Sequence, residues 1–163
     1  MVDVLRRLEG AGIEVVVDGG WGVDALLRET TRAHEDLDIV VDRRHLDAAA
    51  EILARLGFRH DPSVEPGLPA RFVVRDERGR QVDVHPVTFD TEGNGWQQLS
   101  GRAWGLYPAS GFATGSIGGK TVRCTSAEVQ LRHHLGYEWS EKDRRDMVLL
   151  RDRFGVALPP GIG

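Results

Sequence analysis

A chain of 163 residues, 40% hydrophobic and 28% charged, is long enough to bury one sizeable core, and its formal net charge of -4 speaks against broad attachment to nucleic-acid backbones. The single cysteine, Cys124, excludes an intrachain disulfide, and no group of Cys and His has the spacing of a zinc site. No window approaches the roughly 20 apolar residues of a membrane span, so the expectation is a cytoplasmic chain folding as a single domain over 1–163.

Residues 2 to 9 predict a short amphipathic helix, with Val4, Leu5 and Leu8 on one side and arginines on the other. "IEVVVDGG" follows as a strand ending in glycines, and the spacing of Trp21, Val23, Asp24 and Leu27 predicts a short helix. A polar loop, "RETTRAHE", leads to a second strand, "DLDIVV". Asp42 can cap the next helix, whose Leu46, Ala49, Ala50, Leu53 and Leu56 recur at three and four residues until Gly57 ends it. "RFVVRDERGRQVDVHPV" reads as two strands about a tight turn at Glu77 to Gly79, with Val82 and Val84 on one face and Asp83 and His85 on the other. Residues 88 to 111 are too irregular to assign, and a hairpin follows at "FATGSIGGKTVRC". "TSAE" at Thr125 to Glu128 and "SEKD" at Ser140 to Asp143 match capping boxes, opening helices that run to Leu135 and Phe154. The expected division is a core over about 1–124 and a helical part over about 125–155, with no internal repeat.

Chemistry concentrates in "RAHEDLDIVVD". Side chains alternate along a strand, so Asp36 and Asp38 share a face while Leu37 and Ile39 take the other. Two adjacent anions repel unless a cation sits between them. Magnesium prefers oxygen ligands and takes one or two carboxylates with water and phosphate oxygens, and Asp83 on a neighbouring strand would complete a three-carboxylate platform. The plainer alternative is that these aspartates cap loops or pair with Arg32 and Arg80. In "DGGWGVD", Gly19 and Gly20 let a phosphate approach the main chain at a helix N-terminus, although a Gly pair between strand and helix also serves simply as a turn. Asp24 reads as a partner of that helix dipole, and Cys124 as an inert strand residue.

In combination these segments resemble a known family. Gly-Gly, a strand Asp-x-Asp and a later strand aspartate form the pattern of the nucleotidyltransferase superfamily that includes DNA polymerase β. "VDGGWGVDALL", the run Arg32, His34, Asp36 and Asp38, "VDVHP" at Val82 to Pro86, and "HLGYEWSEKDRRDMVLL" at His134 to Leu150 together resemble the small lincosamide nucleotidyltransferases and, more loosely, a family of aminoglycoside nucleotidyltransferases. The resemblance implies an α/β (α+β) nucleotidyltransferase fold: a mixed β-sheet flanked by helices, then a short C-terminal helical region, in a homodimer. It implies a cofactor, Mg²⁺ as one ion or two, with ATP or another nucleoside triphosphate as co-substrate and an antibiotic hydroxyl as acceptor.

Carried over by position, Asp36 and Asp38 would hold the metal, Gly19 and Gly20 would contact phosphates, and Asp83 would be a third ligand or the general base. Arg32 and His34 would neutralise phosphate oxygens, or else pair with Glu29 and Glu35. His85 would orient a carboxylate or touch substrate, or else be a packed core histidine. Lys142 would reach a phosphate from across the cleft, or else pair with Asp146. Tyr137 and Trp139 would wall the cleft, or else pack between the last helices. An aminoglycoside acceptor would draw on Asp90, Glu92 and Glu65, and a lincosamide on Trp96, Trp104, Tyr107 and Phe112; overall resemblance and length favour the lincosamide. Two other classes stay open: a minimal nucleotidyltransferase that modifies a protein, as in toxin and antitoxin pairs, and a noncatalytic nucleotide-binding module.

Overall fold

The computed structural model describes residues 1–64, 67–99 and 101–160; Glu65, one of the acidic acceptor candidates, lies outside them. Valine-rich runs build the centre of the sheet, where β-branched side chains pack well on a pleated surface. The strands are β1 (Val15–Asp18), β2 (Asp36–Asp42), β3 (Arg59–His60), β4 (Phe72–Arg75), β5 (Gln81–Phe89), β6 (Gly95–Gln98), β7 (Trp104–Tyr107), β8 (Phe112–Ile117) and β9 (Lys120–Thr125). They assemble in the order β3-β4-β5-β2-β1-β9-β8, and the β6–β7 hairpin adds to the far end of β5. Parallel pairings of β2 with β5 and β1 with β9, among antiparallel neighbours, make the sheet mixed, as expected.

The two faces of the sheet are chemically unlike. On one, Val15, Val17, Leu37, Ile39, Val41, Val82 and Val84 are buried with the apolar stripes of α1 (Val2–Gly10) and α3 (Leu46–Arg55). Removing each such side chain from water contributes about 1.5–3 kcal/mol, so this helix-covered face anchors the fold. The other face carries the aspartates at one end and Val16, Val40 and Val87 at the other, where Tyr107 of β7 and Val129 of α4 (Ala127–His133) cover them. Two further helices frame the polar end: α2 (Gly19–Leu27) leaves β1 directly, and α5 (Glu141–Phe154) packs Met147 and Leu150 with Val23 of α2 and Trp139. No helix among the described residues is long and apolar enough to cross a membrane.

Three local expectations change. The irregular stretch 88–111 holds the end of β5 and the β6–β7 hairpin, in which Gly95 and Gln97 turn inward while Trp96 turns out. Its inward residues are not aliphatic, which hides the alternation. Asp42 caps a 3₁₀ turn, Arg43–His45, by accepting from the Arg44 N–H at 2.9 Å, and the helix proper starts at Leu46. Ser126, not Thr125, caps α4, which ends at His133, because Thr125 still belongs to β9 and donates its hydroxyl to Asp18 at 2.7 Å. Ser140 forms the capping box with Asp143 as expected.

Candidate active site

Strand register places three aspartates in one row. Asp18 of β1 lies opposite Asp38 of β2, and Asp38 lies beside Asp83 of β5. Directly paired residues point to the same face with Cβ atoms about 5 Å apart, so the row concentrates negative charge on a sheet end that folding alone would not favour. Asp36 is level with Gln81, two residues from Asp38 on the same face, and His85 is level with Val40.

Asp38, Asp83 and His85 each offer one ligand atom, and these atoms lie within 4.8 Å of one another. His85 Nε2 is 3.4 Å from Asp38 Oδ1 and 3.8 Å from Asp83 Oδ1. Arg71 donates from Nη1 to Asp83 Oδ2 at 2.6 Å, whereas Asp83 Oδ1 is buried without a hydrogen bond among the described residues. An anionic oxygen stripped of donors is costly, and a bound cation relieves that cost, so the donor set fits a metal ion. Burial pushes the Asp83 carboxyl above its ordinary value despite His85 and Arg71. Asp36 stands outside this compact set; burial and then Asp38 push its carboxyl up, and Lys142 works in the opposite sense.

A buried carboxamide sets the orientation of His85. Gln97 donates from Nε2 to the Ala70 carbonyl at 2.8 Å, which fixes which end of the amide is nitrogen. The same NH₂ lies 3.1 Å from His85 Nδ1, making that atom an acceptor and leaving Nε2–H to face the carboxylates. The Tyr107 O–H lies 3.3 Å from Gln97 Oε1 and 3.4 Å from Asp18 Oδ2, its one proton serving either.

The two glycines fit the surrounding side chains rather than a turn alone. Gly19 has φ +57°, and a Cβ there would overlap the Asp38 carboxylate; one at Gly20 would overlap His34 and Arg32. Asp38, His34 and Arg32 therefore lie against bare backbone at the start of α2. His34 Nε2–H donates to Asp24 Oδ2 at 2.6 Å, and Asp24 also accepts from Thr31, so Asp24 is a buried anchor of the loop before β2. Arg32 grips Asp146 of α5 through Nε and Nη2, the shortest contact being 2.7 Å, and Nη1 donates to the Ala33 carbonyl. Asp146 is thus taken by Arg32 rather than Lys142, and neither Arg32 nor His34 pairs with Glu29 or Glu35. Lys142 is exposed at the start of α5, on the side of Asp36.

Residues without a sequence signal complete the cleft. Asp18 accepts from Thr125 Oγ1 on Oδ1, and its Oδ2 lies 3.3 Å from His133 Nδ1. Burial opposes its ionisation, yet His133 and then Thr125 hold its carboxyl well below the usual range. Gln130 donates to Thr125 Oγ1 and to the Gly19 carbonyl, tying α4 to the start of α2. Asp18, Asp38, His85, Tyr107, His133 and Leu99 line a cleft of about 610 Å³, within the range of small-molecule sites. Tyr137 is exposed beside His134, which lines the same cleft, and Trp139 is buried against α5 with its N–H on the His134 carbonyl. Trp96, expected to touch substrate, alternates with the inward Gln97 and donates instead to Asp90 at 2.9 Å. Cys124 is buried in β9, and burial pushes its thiol up to about 11.

A family model described as aminoglycoside-2''-adenylyltransferase matches residues 1–150. The chain is 27% identical over 148 residues to a lincosamide resistance protein of Staphylococcus haemolyticus, covering 91% of this chain and 90% of that one. It is 26% identical to a 2''-aminoglycoside nucleotidyltransferase of Escherichia coli, over 82% of this chain and 70% of the relative. Among solved structures, the lincomycin-bound lincosamide antibiotic adenylyltransferase LnuA superposes with a TM-score of 0.81 at 27% identity, covering 92% of this chain and 93% of that one. ANT(2'')-Ia in complex with adenylyl-2''-tobramycin shares the fold, with a TM-score of 0.72 at 21% identity over 93% and 86% of the two chains.

Proposed function

The chain belongs to the aminoglycoside-2''-adenylyltransferase family and is a nucleotidyltransferase of the antibiotic-modifying type, and from that premise we propose that it transfers AMP from ATP, with Mg²⁺, to a hydroxyl group of a lincosamide. The observation that carries the reading is the aspartate row ending in Asp83, whose Oδ1 is buried without a hydrogen bond beside Asp38 and His85. Asp36, Asp38 and Asp83 would hold Mg²⁺, one ion or two, which when bound would neutralise phosphate oxygens and the charge on the departing pyrophosphate.

The protein's own groups supply position. Gly19 and Gly20 admit the triphosphate to the main chain at the start of α2, where free N–H groups and the positive dipole end meet it. Arg32 and His34, clamped by Asp146 and Asp24, hold the shape of that turn, and the exposed Lys142 meets phosphate from the α5 side. His85 presents Nε2–H to the carboxylates and keeps them aimed. Tyr137 offers a ring to the base or the acceptor at the rim.

The lincosamide preference rests on overlap over nearly the whole of both chains with a lincomycin-bound enzyme, and on the uncharged Ala70, Leu99 and Tyr107 in the cleft wall. We propose further that it works in the cytoplasm as a homodimer, the expectation drawn from its sequence. Incubation with ATP, Mg²⁺ and a panel of lincosamides and aminoglycosides tests the reading, with mass spectrometry of the products. A lincosamide heavier by one AMP is the expected product. Adducts on aminoglycosides alone would move the acceptor, and Mg²⁺-dependent ATP binding without any small-molecule product would move it to a protein hydroxyl.

A further inference from the structure

We propose that Arg71 sets the acceptor class by turning polycations away from the site, an inference that deepens the nucleotidyl-transfer reading above and rests on it. Arg71 stands two residues before Val73, which is level with Asp83, so it enters on the aspartate face of the sheet. Its Nη1 donates to Asp83 Oδ2 at 2.6 Å, and its side chain stays 28% exposed in the wall of the cleft.

Asp83 either holds the metal or takes the proton of the acceptor hydroxyl. In both roles that hydroxyl comes close to Asp83, and the atoms attached to it come close to the guanidinium. A guanidinium is charged at every working pH, so it repels an ammonium brought there. It also cancels the charge of Asp83, the carboxylate that would otherwise attract one. The two effects have the same sign, and between unit charges a few ångströms apart at a half-buried site they change affinity at least about tenfold.

The rest of the wall offers a polycation no compensation. Among the described residues lining the cleft, the carboxylates are Asp18 and Asp38. Asp18 is buried and held by Thr125, and Asp38 belongs to the metal-holding set. Ala70, Leu99, Gly105 and Tyr107 carry no charge. Asp90 and Glu92, the acidic acceptor candidates between β5 and β6, line no part of the cleft, and Asp90 is taken by Trp96 and Asn94. An aminoglycoside carries ammonium groups on the same rings as its hydroxyls, so presenting a ring hydroxyl to Asp83 brings an ammonium to Arg71. A lincosamide carries one basic amine on its pyrrolidine, separated from the sugar hydroxyls by an amide, and can keep it outside. Arg71 therefore separates the two classes by charge rather than by shape.

The test measures the Kd of lincomycin and of tobramycin by calorimetry, with Mg²⁺ and a nonhydrolysable ATP analogue present, on wild type, Arg71→Lys, Arg71→Gln and Arg71→Met. The neutral variants are expected to tighten tobramycin at least about tenfold while lincomycin shifts by less than about threefold, and Arg71→Lys is expected to keep the wild-type ratio. A residue that only positioned Asp83 would leave the ratio unmoved, and would separate Arg71→Gln, which keeps a donor, from Arg71→Met, which does not. An unchanged ratio in whichever neutral variant folds, or an Arg71→Lys ratio that moves with theirs, overturns the assignment. So does a wild type that binds tobramycin more tightly than lincomycin, which would leave nucleotidyl transfer itself standing. Absence of nucleotidylated product from the wild type with every acceptor offered overturns the underlying reading, and the inference with it.

Discussion

Alanine at Gly19 and at Gly57 imposes the same backbone demand with different neighbours. Gly19 has φ +57° and Gly57 has φ +91°, so either alanine must hold a left-handed backbone, at about 1–2 kcal/mol. At Gly57, nothing lies within 4 Å of the new Cβ; at Gly19, the Cβ would overlap the Asp38 carboxylate. For a chain of this size each kcal/mol lowers Tm by about 2–4 °C, so both variants should melt about 2–8 °C below wild type. Asp38 is a flexible side chain, so in Gly19→Ala it moves aside rather than unfolding the sheet. Displacing a group of the catalytic set by about 1 Å costs on the order of 100-fold in rate. Calorimetry and steady-state turnover on the two variants should therefore show matched melting losses and a rate loss confined to Gly19→Ala. Full turnover in Gly19→Ala, or an equal rate loss in Gly57→Ala, would refute the packing of Asp38 on the glycine turn.

Asp38→Asn should nearly abolish turnover while leaving circular dichroism and Tm close to wild type, because in the proposed function Asp38 would hold the metal and it packs no core; near-normal turnover in the folded variant would remove the metal assignment. Gln97→Leu strands the Ala70 carbonyl and frees His85, so stability should fall by about 1–3 kcal/mol and turnover by about tenfold, and ¹⁵N NMR should show His85 no longer fixed as a single neutral tautomer. Asp18 is held ionised below its ordinary value of 3.8, so its contribution is fully present above that pH and drains as pH falls through the folded value. The Tm gap between wild type and Asp18→Asn should shrink as pH falls below about 4; a gap that widens there would reverse the sign.

Period-two alternation made Asp36, Asp38, Asp83 and His85 readable as one polar face, because the opposite residues Leu37, Ile39, Val82 and Val84 are uniformly apolar. The glycine pair and the Ser140 cap are equally local signals. Asp18 is different: it reads as the end of a valine run, and only the antiparallel register of β1 against β2 brings it level with Asp38. Arg71, Gln97, Tyr107 and His133 reach the cleft from separate segments, and the β6–β7 hairpin that delivers two of them lacks an aliphatic stripe. Arg32 shows the converse limit, since its motif position was visible but its partner, Asp146, lies 114 residues away. Local patterns reported which residues face the site; long-range register determined which of them touch.

Breakage of the bond from the α-phosphorus to the oxygen that bridges it to the β-phosphorus is the event on which the whole account depends, and ³¹P NMR observes it directly. With lincomycin, ATP and Mg²⁺, pyrophosphate and a new phosphodiester resonance should grow together at equal rates, and neither should appear without the acceptor. Release of ADP and inorganic phosphate instead, or ATP left intact with every acceptor offered, would contradict nucleotidyl transfer by this chain.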